Sequence, residues 1–238
     1  MSRSAQFEPA VAVSPGAARG RTPRRPRSDD ERVAATQKRI LDTAERLFAE
    51  QGVYVVSNRQ ISEAAGQGNT AVVGYHFGTK ADLVMAVVRR FTLEVEESRQ
   101  EMLKRISGST ELRDWVACAV YPYTEHLARR EPPTWFYRFA VQVMTDPALR
   151  DIMVAEASAS PSIREVWVGL ARCLADLPRR VRGQRDDLAS HAIVHACAER
   201  ERALADGVPV PQRTEDWAND LIDALVGLWS APVTRARR

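Results

Sequence analysis

Between Val33 and Trp229 the apolar residues recur at three- and four-residue intervals almost throughout, and no convincing run alternates apolar with polar. That period lays side chains along one face of a helix, whereas a half-buried strand needs a period of two. The chain is therefore expected to be all-α. Glycine and proline punctuate the pattern. They mark helices at 32–51, 58–65 and 69–75, then a long one that opens on the capping pattern Thr79-Lys80-Ala81-Asp82 and runs to about Ser107. Further helices are expected at 111–130, 133–145, 147–157, 162–177, 185–205 and 214–230, with Thr214 capping the last and Pro122 kinking the one that contains it.

A chain of 238 residues can close one sizeable core, or a core with a small satellite. No uncharged apolar run reaches membrane-spanning length. Arginines near the N-terminus have no apolar block behind them, so a secretory leader is not expected. Cys118, Cys173 and Cys197 lie far apart with no CxxC, which fits a reducing compartment and argues against a zinc finger. His191 and His195 have the i, i+4 spacing of helical metal ligands. Ala192 stands where a zinc-protease glutamate would, and no third ligand is evident, so a helix-interface role is expected and no metal. No phosphate loop, nucleophile elbow or paired-carboxylate motif appears; no enzyme activity and no cofactor are expected.

The chain has 31 arginines against three lysines, yet its net charge is only +3, so nucleic-acid binding would need local charge. Residues 1–31 hold four prolines and no Leu, Ile, Trp or Tyr, and read as a disordered arm. Arg19, Arg21, Arg24, Arg25 and Arg27 cluster there with no acid between them. This arm is either a solvated tail or a minor-groove arm that supplies counterion release. Residues 232–238 form a second short basic tail.

Three short helices, the last two separated by Gly66, suggest a helix-turn-helix. The second helix of such a pair enters the major groove and must carry small outward side chains. Gly68, Asn69, Thr70 and Ala71 meet that need: Asn69 could pair bidentately with adenine, and Thr70 could meet a thymine methyl or a phosphate.

The stretch from Ile40 to Gly52 (ILDTAERLFAEQG) resembles the opening of TetR-family (AcrR-like) transcriptional regulators, and the likeness continues through Ile61–Gly66 and Tyr75–Leu83. The resemblance implies a three-helix DNA-binding domain at 32–80 and an all-helical ligand-binding and dimerisation domain at 81–231. It implies a cytoplasmic bacterial homodimer, most often a repressor, released from a palindromic operator in double-stranded DNA by a small molecule. An activator of the same fold, or a helical scaffold without DNA binding, is the alternative. By resemblance Ser57, Arg59, Tyr75, His76 and Lys80 are phosphate contacts. For Tyr75 a core position is an equal alternative, and for Arg59 and His76 ordinary structural roles stay open. The turn before Phe77 is one residue longer than is common in the family, so Gln67, Gly68, Asn69 and Thr70 are kept as one base-facing group.

In the second domain Trp115, Cys118, Tyr121, Pro122, His126, Trp135, Phe139, Gln142 and Trp167 are candidates to line a ligand pocket, with a plain helical core as the alternative. The proline kink would free a carbonyl there. His191, His195, Trp217, Leu221, Leu225 and Leu228 are the candidate dimer seam, placed on the last two helices by the resemblance.

Overall fold

The structure is a computed structural model, and it describes residues 28–130, 133–210 and 213–234. Among these residues all regular structure is helical: α1 Asp29–Gln51, α2 Asn58–Ala64, α3 Val72–Phe77, α4 Lys80–Arg105, α5 Leu112–Arg129, α6 Phe136–Thr145, α7 Pro147–Ala159, α8 Pro161–Cys173, α9 Arg179–Ala205 and α10 Thr214–Ser230. No helix among them is long and apolar enough to cross a membrane. The arginine arm and the last four residues lie outside the described residues.

Local chemistry accounts for most boundaries. Ser28 starts α1: its hydroxyl accepts from Glu31 N–H and the Glu31 carboxylate accepts from Ser28 N–H, both at 3.2 Å. Residues 29–31, expected in the arm, are thus the first turn of α1. The same reciprocal cap opens α2 at Ser57 and α4 at Thr79. Gly52, Gly66 and Gly78 have φ between 66° and 102°, which glycine adopts without strain, and each closes the helix before it.

Three other expectations are corrected. α3 begins at Val72, not at residue 69, because residues 67–71 form the connecting turn. α9 begins at Arg179 and runs through Gly183, where the sequence suggests a break. Thr214 is the first residue of α10, and Arg213 holds the cap position without a side-chain bond. α5 is unbroken from Leu112 to Arg129 although it contains Pro122.

Two apolar clusters hold the helices. One joins Ile40, Phe48, Ile61, Val73 and Val87 of α1–α4 to Phe139 and Val143 of α6. The other packs Trp115 and Val120 of α5 against Val166 and Leu170 of α8 and Ile222, Leu225 and Trp229 of α10. Leu103 of α4 joins this second cluster, so α4 belongs to both halves of the molecule.

Candidate nucleic-acid interface

The α2–α3 pair is held from within by Ile61 and Val73, both fully buried. The buried Ser62 hydroxyl donates, at 3.0 Å, toward the carbonyls of Asn58 and Thr70, so one side chain ties α2 to the turn that follows it. Gly68, Asn69, Thr70 and Ala71 are exposed on that turn, ahead of α3 and not within it. Asn69 Oδ1 accepts from Ala71 N–H at 2.9 Å. Bidentate pairing with adenine would use the second lone pair of that oxygen and the free amide nitrogen. Gln67 turns back on α2, its amide donating to the Ala65 carbonyl at 3.1 Å.

Tyr75 is 85 % exposed, which removes the core alternative, and its ring meets His76 edge-on with centroids 5.1 Å apart. His76 and Phe77 are half-buried behind it. Arg59 projects outward but is paired with Glu63 one turn on, at 2.7 Å. Lys80 is directed inward. Its ammonium donates to the Val53 carbonyl at 3.0 Å and to the Val56 carbonyl, fastening the α1–α2 loop to the start of α4. Burial holds its pKa below the ordinary lysine value. Two of its three donors are thereby taken from the phosphate role implied for it.

Around these helices the domain is nearly charge-balanced: residues 33–80 carry five Lys/Arg and four Asp/Glu.

The candidate ligand residues separate into groups. Gln142 and Phe139 belong to a joint between α6 and α1. The Gln142 amide donates to the Phe48 carbonyl at 2.9 Å and the Ala49 carbonyl at 3.3 Å, and its oxygen accepts from Val53 N–H at 3.3 Å. Gln142 thus adds a second donor to the Phe48 carbonyl, which also accepts from Gly52 N–H at 2.9 Å, and serves the Ala49 carbonyl at the end of α1. The Phe139 ring stacks on Phe48 with centroids 5.9 Å apart. Tyr54 adds a bond to Asp146 at 3.0 Å. At its other end α6 has no cap of its own. The buried Glu201 of α9 supplies one, accepting from the backbone N–H groups of Tyr137 at 3.3 Å and Arg138 at 3.0 Å.

Trp167 is 45 % exposed and lines no interior site. Tyr121 bonds to Asn219 of α10 at 2.9 Å, and Trp135 is half-buried at the start of α6. Trp115 is buried under Gly169 and donates to the Ser109 carbonyl at 3.1 Å. Cys118, Pro122 and His126 do share a neighbourhood, and its central residue, Arg99, is one that the sequence reading passes over. Because Pro122 lacks an N–H, the Cys118 carbonyl four residues earlier is free, and Arg99 Nε donates to it at 3.2 Å. A signal is present in the sequence: Arg99 follows Phe91 and Val95 at i, i+4, i+8 on the inner stripe of α4.

The expected dimer seam is corrected at Leu225. Leu225 is 2 % exposed and packs inside this chain, and Arg200 covers the Trp217 ring at 4.6 Å. Leu221 and Leu228 pack partly against the same inner cluster. His195 is exposed, and His191 Nδ1 lies 2.6 Å from the Asp187 carbonyl. α9 and α10 leave outward Leu188, Ala192, His195, Ala224 and Gly227 together with the charged residues Asp187, Glu199, Arg202, Asp220 and Asp223.

Residues 40–87 match the family of bacterial regulatory proteins designated tetR. Over 193 residues the chain is 26 % identical to the HTH-type transcriptional regulator HbdR of Aromatoleum sp. (strain CIB), covering 79 % of this chain and 80 % of that one. Its fold is similar to that of AmtR from Mycobacterium smegmatis, with TM-score 0.55 at 20 % identity over 90 % of this chain and 92 % of the other. It is also similar to the fatty acid degradation regulator FadR from Bacillus halodurans, with TM-score 0.56 at 12 % identity over 84 % and 97 %. The matched segment spans the helix pair just described and the start of α4, so the chain carries an N-terminal domain of the tetR family of bacterial regulatory proteins.

Proposed function

We propose that this regulator is a homodimeric repressor that leaves a palindromic operator when a small molecule binds its second domain. Residues 32–80 form the DNA-binding unit and 81–231 the ligand and dimer unit. The observation that carries the reading is the α6 joint. One end of α6 is held by Glu201 of α9 and the other clasps the end of α1 through Gln142. A shift of α6 would therefore be transmitted to the helices that carry α2 and α3.

In vitro selection of DNA sites by the full-length protein tests the reading. An enriched inverted repeat is expected, and a protein that enriches no site at low salt would overturn it.

Two substitutions probe the parts. Tyr75→Ala should weaken binding to all sites alike, about fivefold for one lost phosphate contact, with little change in melting temperature because the ring is exposed. Fluorescence anisotropy across several sequences measures this; a change confined to certain bases would refute the phosphate role. Gln142→Leu removes the clasp. Faster hydrogen exchange at Val53 N–H and an altered operator affinity are expected, and unchanged values for both would show that the clasp transmits nothing.

A further inference from the structure

The interior between α4, α5 and α8 holds a cation whose bonds go only to uncharged oxygens. Arg99 is 1 % exposed. Its Nε donates to the Cys118 carbonyl at 3.2 Å and its Nη1 to the Ser162 hydroxyl at 3.3 Å. Glu96 is reached only through that hydroxyl, which lies 2.8 Å from its carboxylate. The second terminal nitrogen, Nη2, is buried and has no partner among the described residues. A buried, incompletely bonded guanidinium costs several kcal/mol unless an anion joins it.

Aromatic rings border the guanidinium. It sits 5.2 Å from the centroid of the Tyr123 ring. Tyr123 lies 5.4 Å from Phe91 and 6.5 Å from Tyr137 by ring centroid. His126 packs edge-on to Phe91 at 4.8 Å, and its Nδ1 is a second buried polar atom without a partner among the described residues. Two unpaired polar atoms thus flank one set of apolar rings. Few convergent polar groups on an apolar wall is the composition of a small-molecule site.

We propose that Arg99 is the recognition residue for a small organic carboxylate with an apolar or aromatic body. One positive charge with no directly bonded anion and one unused nitrogen suit a monoanion bound end-on. A phosphate dianion would bring an excess charge and more acceptors than Arg99 can serve. The rings suit the apolar body, whereas a sugar would leave hydroxyls unbonded among them. This inference rests on the second domain being a ligand domain.

The test uses three acids, benzoate, 4-phenylbutyrate and octanoate, each beside its primary amide, on the full-length protein. Thermal melting reads binding without DNA, and anisotropy on a selected DNA site reads release. At least one acid should raise the melting temperature at a tenfold or more lower concentration than its amide. Arg99→Met should abolish that preference, while Arg99→Lys, which keeps the charge, should retain part of it. Acids that do nothing, amides that match the acids, or an Arg99→Met protein that responds like the parent would each overturn the assignment. The acid–amide comparison in the parent protein decides even if Arg99→Met does not fold. An acid that shifts melting without releasing DNA would uphold Arg99 and overturn release by ligand instead.

Discussion

Alanine at position 169 is expected to destabilise the protein by about 2–3 kcal/mol, although replacing a helical glycine with alanine ordinarily gains up to about 1 kcal/mol. Gly169 lies inside α8, directly over the indole of Trp115. A Cβ at this position would stand 2.1 Å from two indole atoms and 2.4 Å from a third. The indole cannot step aside. Trp115 is 1 % exposed, its N–H is bonded to the Ser109 carbonyl at 3.1 Å, and Arg172 lies 5.3 Å from its ring centroid. A core at native density has no void to receive a displaced ring, so α8 must move away from α5. Gly183 supplies the control. It sits in α9, and a methyl group there would meet nothing within 4 Å, so Gly183→Ala should be neutral or stabilising. Denaturant unfolding of the two variants measures the contrast, and equal stabilities would show that the contact between α5 and α8 is not tight in solution.

Arg90→Ala is expected to cost about 3 kcal/mol at neutral pH. Arg90 reaches from α4 to α1, pairing with Asp42 at 2.6 Å and Glu45 at 2.5 Å. The Glu45 side chain is only 6 % exposed, so removing the cation leaves a carboxylate buried without its partner. Burial already raises the Glu45 pKa above its ordinary value of 4.5, and the Arg90 charge and hydrogen bond oppose that rise. Without Arg90 the rise is larger. A carboxyl whose folded pKa exceeds its unfolded one destabilises the fold above the unfolded value, and the penalty fades as pH falls and the group is protonated in both states. The melting deficit of the variant against the parent should therefore be full near pH 7 and shrink as pH falls toward 4.5 and below. A deficit independent of pH would mean that packing of the arginine stem, and not the Glu45 charge, is what Arg90 contributes. Because α1 and α4 frame α2 and α3, the variant should also bind DNA less well.

The all-helical architecture was legible from apolar period and punctuation alone. Capping is short-range: Ser57 and Thr79 each announce a helix through a partner three residues on, and the glycines that close α1, α2 and α3 act on their own backbone. Where local signals were weak, boundaries slipped. Gly183 reads as a break in sequence, yet a solvent-facing glycine is tolerated inside a helix as long as α9. The DNA-facing segment was legible as a segment, through its order of residues, but the orientation of its side chains was not. Tyr75 could be core or surface until Val73 was seen to fill the inner position. Lys80 could not be known to turn toward two carbonyls that lie more than twenty positions earlier in the chain.

What the sequence determined by itself is what depends on neighbours within about one helical turn: helix existence, most caps, and the ordered segment that matches the tetR family model. Tertiary structure decided which groups meet across helices. Gln142 became a clasp on α1, Leu225 turned inward, and Arg99 became a buried cation beside the carbonyl that Pro122 set free. The reason is range. A hydrogen bond or ion pair between helices depends on how two faces are rotated against each other, and that rotation is fixed only when the apolar stripes of all the helices are packed at once.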